Sequence, residues 1–130
     1  MTGLDTNVLV RYIVRDDRAQ AQRADAAIRT CTAEDPGFIS IVSLAEMVWV
    51  LQSYYRMPKD QLILCLERLF NANNLIMEGA AAIRMAVDRF GHSNCDFHDC
   101  LIERCGHMAG CSRTVTFDIK AARSAGMEQL

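Results

Sequence analysis

The chain has 130 residues, just over half of them hydrophobic and under a quarter charged, which is ordinary globular composition with enough length to bury a core unaided. A net charge of -2 argues against general electrostatic adhesion to nucleic acid, and no apolar run reaches the roughly 18 residues that a membrane span needs. These features predict one soluble, non-secreted, cytoplasmic domain over residues 1–130, with no membrane partner.

In chain order, Gly3-Leu4 reads as a stub of strand, followed by Val8, Leu9, Tyr12 and Ile13 at helical spacing. The Ala- and Arg-rich stretch from Arg18 to Cys31 predicts a second helix, stopped by the turn at Asp35-Pro36-Gly37. Phe38 to Ile41 is a second strand, and Ser43 to about Tyr55 a helix with Leu44, Met47, Val48 and Leu51 on one side. Pro58 suits the first turn of a helix running to about Phe70. Leu75-Ile76-Met77 is the third strand. Ala80 to Phe90 is a helix that Gly91 is expected to stop, and Asp96 to Met108 is helical again. Arg113 to Phe117 is β-branched and aromatic, reads as a strand, and ends at Asp118, with a short helix from Ile119.

Alternation of short strands with long helical crossovers implies an α/β fold with a mostly parallel sheet. Ligands in such folds sit beyond the carboxyl ends of the strands. Asp5 and Asp118 follow strands directly, while Glu46, Asp96 and Asp99 lie at or near the first turn of a helix. Each acid has a modest explanation of its own. Ser43-Leu44-Ala45-Glu46 fits a capping box, and Asp5 and Asp96 suit N-caps. Together the modest explanation weakens, because two carboxylates about 4 Å apart repel by roughly 4 kcal/mol at an effective dielectric of 20. If the strand ends converge, a compensating cation is required, and an all-oxygen donor set suits Mg²⁺ or Mn²⁺.

Twelve of the fourteen basic residues are arginine, the lysines being Lys59 and Lys120. The six cysteines, at 31, 65, 95, 100, 105 and 111, form no C-x-x-C pair and are expected to be reduced structural thiols. Cys100 and Cys105 fall in a helical pattern, where free cysteine acts as a small hydrophobe. Scattered His92, His98 and His107 lack metal-site spacing, and His98 reads as a partly exposed spectator rather than a proton donor.

Four blocks, LDTNVLVRY at 4–12, SLAEMVWVL at 43–51, CDFHDCLIE at 95–103 and TVTFD at 114–118, resemble in order and spacing the PIN-domain ribonucleases. Within that family the resemblance is to the VapC-like toxins of bacterial type II toxin–antitoxin pairs. It implies a three-layer α/β/α sandwich with a short, mostly parallel central sheet, and Mg²⁺- or Mn²⁺-dependent hydrolysis of RNA. The acidic site then falls on Asp5, Glu46, Asp99 and Asp118, with Asp96 a frequent further member. Asn7 and Thr116 match positions that hold neighbouring carboxylates in place. A homodimer and a cognate antitoxin that blocks the acidic pocket are also implied. His98 departs from the small residue often found there, and the Cys100/Cys105 helix is unusually rich in thiols.

RNA contacts are sought at Arg11, Arg15 and Arg18, although a solvated helix face accounts for them equally well. Trp49, Tyr54 and Tyr55 suit core or partner surface better than base stacking. Two other classes compete with the nuclease. One is a phosphoryl-transfer domain, phosphatase- or receiver-like, although residue 7 is Asn where the phosphatase pattern wants Asp. The other is a non-catalytic binding module that keeps the acids only as caps.

Overall fold

The computed structural model describes residues 1–130, which divide into two compact units, Met1–Glu78 and Gly79–Leu130. In the first unit the order is β1 (Thr2–Gly3), α1 (Thr6–Val14), α2 (Arg18–Arg29), β2 (Gly37–Ile39), α3 (Ile41–Ser53), α4 (Lys59–Asn71) and β3 (Leu75–Met77). The three strands form a parallel sheet in the order β1-β2-β3, with Gly3 opposite Phe38 and Phe38 opposite Ile76. Parallel neighbours need a long crossover, and here a helix pair supplies each one. Close approach sets the residue at the start of β2. A side chain at Gly37 would meet Leu75 Cδ2 at 2.9 Å and Leu4 Cδ1 at 3.0 Å, so only glycine fits.

The apolar stripe predicted for α3 is the buried one, whereas in α1 only Leu9 of the predicted four is buried, with Thr6 and Val10 beside it and Tyr12 exposed. Leu9, Leu44, Met47, Leu51, Leu62 and Leu66 are wholly shielded from solvent. Each is worth about 1.5–3 kcal/mol of burial, which outweighs helix propensity in elements this short.

The second unit contains α5 (Ala80–His92), α6 (Phe97–Met108), β4 (Val115–Thr116), α7 (Ile119–Ser124) and β5 (Glu128–Gln129). Helices α5 and α6 make its core through Ile83, Ala86, Phe90, Phe97 and Leu101. The Phe90 and Phe97 rings meet edge to face at 5.7 Å. Strands β4 and β5 pair in parallel, Thr116 opposite Gln129. Gly106, in the last turns of α6, lies against the approach to β4, where a side chain would come within 2.9 Å of Thr114 Oγ1.

Several expectations need correcting. Gly91 does not end α5. The helix continues to His92, and extended Ser93 closes it, its hydroxyl donating to the Arg89 carbonyl at 2.7 Å. The cap of α3 is Ser40 and not Ser43, because the Ser43 N–H donates to Ser40 Oγ. Of the two places expected for Trp49 and Tyr54, core or partner surface, their exposure removes the core, while the Tyr55 hydroxyl donates to Asp16 at 2.8 Å. The predicted fourth strand contracts to two residues, and β5 was not foreseen. Nor are all the cysteines reduced: Cys95 and Cys100 are joined in a disulfide, while Cys31, Cys65, Cys105 and Cys111 lie outside it as thiols. The first turn of α6 brings the two Cα atoms to 6.5 Å, within bridging range, which a scan for C-x-x-C spacing does not detect.

Candidate active site

In the first unit, Asp5 leaves β1 and becomes the N-cap of α1, accepting the Asn7 N–H at 3.4 Å. Only the backbone of Asn7 is used in this contact. Thr6, between them, is buried, and its hydroxyl reaches Glu46 Oε2 at 3.2 Å and the Ser43 carbonyl at 3.4 Å. Glu46 therefore takes its hydrogen bond from α1 and does not turn back to cap its own helix. The α3 N-terminus is served instead by Ser40 and by Glu78, whose carboxylate accepts the Ile41 N–H at 2.9 Å. Both Asp5 and Glu46 remain exposed.

In the second unit, Asp118 leaves β4 and caps α7, accepting the Ala121 N–H at 2.9 Å. Its own N–H donates to Thr116 Oγ1 at 3.0 Å, so Thr116 fixes the backbone that carries the acid. Asp96 sits at the N-cap position of α6 without making a cap hydrogen bond, and accepts from Lys120 Nζ at 3.1 Å instead. Asp99 lies one turn into the helix and is half-buried. Burial first, then the charges of Asp96 and Asp118, push its carboxyl above the usual aspartate range, with His98 and Lys120 opposing. No group of three or more acid, histidine or cysteine side chains is already arranged to hold a metal ion.

The arginine candidates are engaged within the chain. Arg11 donates to Gln20 and Asp16 at 2.7 Å each, and Arg15 grips Asp25 bidentately at 2.7 and 2.8 Å. Arg18 opens α2 and is exposed. Two residues of the site escaped the sequence reading. Thr6 had a signal in its place inside D-T-N, where a hydroxyl can serve a distant acid. Lys120 had one in being a rare lysine two residues past Asp118.

A family model described as PIN domain matches residues 4–126, nearly the whole chain. The chain belongs to the PIN-domain family. No curated protein matches it as a relative. PIN domains are in general nucleases that use divalent metals such as Mg²⁺ or Mn²⁺, and the α/β class with short parallel strands between helices agrees with that membership. No helix of this PIN domain is long and apolar enough to cross a membrane. Asp96, Asp99 and Asp118 are all oxygen donors, the chemistry that suits a hard divalent cation.

Proposed function

We propose that this PIN domain is a Mg²⁺- or Mn²⁺-dependent endoribonuclease and the toxin of a toxin–antitoxin pair. The observation that carries the metal reading is Asp99, held half-buried within reach of the charges of Asp96 and Asp118. Asp5 and Asp99 are the main ligands in this reading, with Asp96 available as a further one. Asp118 and Glu46 would hold a second cation or orient a water on the first. The bound cation supplies an acidified water and neutralises charge on the scissile phosphate. Around it, the Thr6 hydroxyl aims Glu46, and Thr116 with the Ala121 N–H fixes Asp118. No serine, cysteine or lysine nucleophile is needed.

RNA as substrate follows the family resemblance. The exposed rings of Trp49 and Tyr54 offer base-stacking or partner surface. In this reading the cognate antitoxin seats in the first unit, in a cleft of about 740 Å³ between α1, α2 and α4. Its apolar lining includes Ile13, Met57 and Leu64, and Arg68 borders it, while Arg15 and Arg29 there pair with Asp25 of the same wall, so an amphipathic segment with an acid opposite Arg68 fits it. A homodimer completes the proposed assembly.

The test is cleavage-site mapping of total RNA with wild type and Asp5→Asn, in Mg²⁺ and in Mn²⁺. Wild type should give defined cuts that the variant lacks, and identical patterns would overturn the nuclease reading. One observation favours the non-catalytic module: Asp5 and Asp118 do cap helices. That alternative predicts no thermal shift on adding Mn²⁺, whereas a metal site is stabilised by mass action. Family membership gives no support to the phosphatase-like and receiver-like readings.

A further inference from the structure

The disulfide closes a ring around Asp96, Phe97, His98 and Asp99, so two of the proposed metal ligands lie inside one covalent loop. Both cysteines are almost wholly buried, Cys95 at 2% and Cys100 at 0% exposure. Ser93 braces the entry, its hydroxyl oxygen accepting the Cys95 N–H at 3.3 Å and lying 3.0 Å from Cys95 Sγ while its proton goes to the Arg89 carbonyl. The helix start within this ring differs from its counterparts. Helices α1, α2, α3 and α7 each begin with a residue whose side chain accepts a first-turn N–H. Helices α4 and α5 begin at Pro58 and Gly79, which have no side-chain acceptor. Helix α6 alone begins with a competent cap, Asp96, that is not used as one. A side-chain cap is worth about 1 kcal/mol, and here the first turn is tied by a covalent bond instead.

We propose that the Cys95–Cys100 bond is a positioning element that replaces the cap of α6 and keeps the Asp96 carboxylate off the helix N–H groups. That carboxylate can then join Asp99 on a divalent cation, with only the exposed Lys120 ammonium competing for it. Reduction then weakens metal binding. This rests on the reading of Asp96 and Asp99 as metal ligands. The reductant is a dithiol. One of its thiolates attacks a cystine sulfur and forms a mixed disulfide, releasing one cysteine thiolate, and its second thiol resolves the intermediate. Two electrons pass to the protein, which gains two thiols, and the reagent leaves as a cyclic disulfide. Without the ring, the first turn of α6 frays, and Asp96 turns to the free N–H groups of the helix as an ordinary cap.

The experiment uses the full chain, purified without reductant, and half of it reduced with a dithiol that is then removed anaerobically. Alkylation under denaturing conditions followed by intact mass should add labels at the four cysteines outside the disulfide in the first sample and at all six after reduction. Mn²⁺ affinity, measured by calorimetric titration, should be about tenfold weaker in the reduced protein, the scale of a lost supporting interaction at a metal ligand. Cys95→Ser should match the reduced protein under both conditions. If that variant does not fold, the two states of the wild type carry the comparison. Six labels before reduction would overturn the proposal. So would equal Mn²⁺ affinity in the two states with only the metal-free melting temperature lowered, which marks a merely structural cross-link. Failure of the underlying metal reading looks different: neither state binds Mn²⁺, and Asp99→Asn changes nothing.

Discussion

The two units treat their acids in opposite ways. In Met1–Glu78, Asp5 accepts a helix N–H and Glu46 a threonine hydroxyl, so each carboxylate has a neutral partner that serves it locally. In Gly79–Leu130, Asp99 lies under the influence of two other carboxylates, and the nearby ammonium of Lys120 goes to Asp96. Asp5 and Glu46 are thus each met by a neutral donor, whereas the Asp99 carboxyl in the second unit is raised by burial and by two like charges, with His98 and Lys120 opposing. On the proposed reading, it is the second unit that gains most from a bound cation.

Asp99→Asn should break this contrast most severely. Cleavage should fall by on the order of 10³-fold, as for loss of a main ligand, in a single-turnover assay on a mapped RNA. The metal-free protein should melt no lower than wild type, because the substitution removes a charge that its neighbours disfavour. A lower melting temperature would show that Asp99 is a structural residue.

Thr6→Val sharpens the other side. It keeps the shape, removes the donor to Glu46 and the Ser43 carbonyl, and should cost about 1–2 kcal/mol in urea unfolding. Asn7→Ala, which leaves the backbone donor of Asp5 in place, should cost little by the same measurement.

A third prediction concerns pH. Glu103 is buried in the second unit and accepts from the Arg104 fork, which holds its carboxyl below the usual glutamate range against the opposing effect of burial. A carboxyl lowered by folding stabilises the protein above its unfolded pKa, about 4.3, and that stability is lost as pH falls further. Glu103→Gln should therefore flatten the acid limb of melting temperature against pH, by an amount on the order of 1 kcal/mol. Parallel wild-type and variant curves would refute the assignment.

Lys120→Ala should have the smallest effect. Its pair with Asp96 is exposed at both ends, so unfolding free energy should move by less than about 0.5 kcal/mol. Mn²⁺ affinity should rise modestly, since the lysine no longer competes for Asp96.

Much of this was legible in the sequence where periodicity acts over several turns. The stripe of α3, the span of α4 and the apolar Leu75–Met77 strand sit where the sequence placed them, because burial of apolar side chains decides them. Elements decided by a single contact were not legible. Gly91 carries a stop signal that the continuing α5 overrides, and Ser40 wins over Ser43 because α3 starts two residues earlier than its apolar pattern. The two-residue β5 has no pattern of its own and exists through its pairing with β4. Among the acids, position in the sequence pointed to helix starts for Asp5, Asp96 and Asp118. It could not say which of them spends its carboxylate there, since that depends on Lys120 and on a cross-link five residues long.

The close approach of Gly106 to Thr114 has a consequence for anyone altering this chain. In a free helix, glycine to alanine is a favourable exchange, and a scheme that optimises α6 by itself would make it. Here the added methyl lands on the threonine hydroxyl of the segment that leads to Asp118. Positions 106 and 114 are thus a single design choice, since a side chain at 106 obliges the Thr114 hydroxyl to turn away.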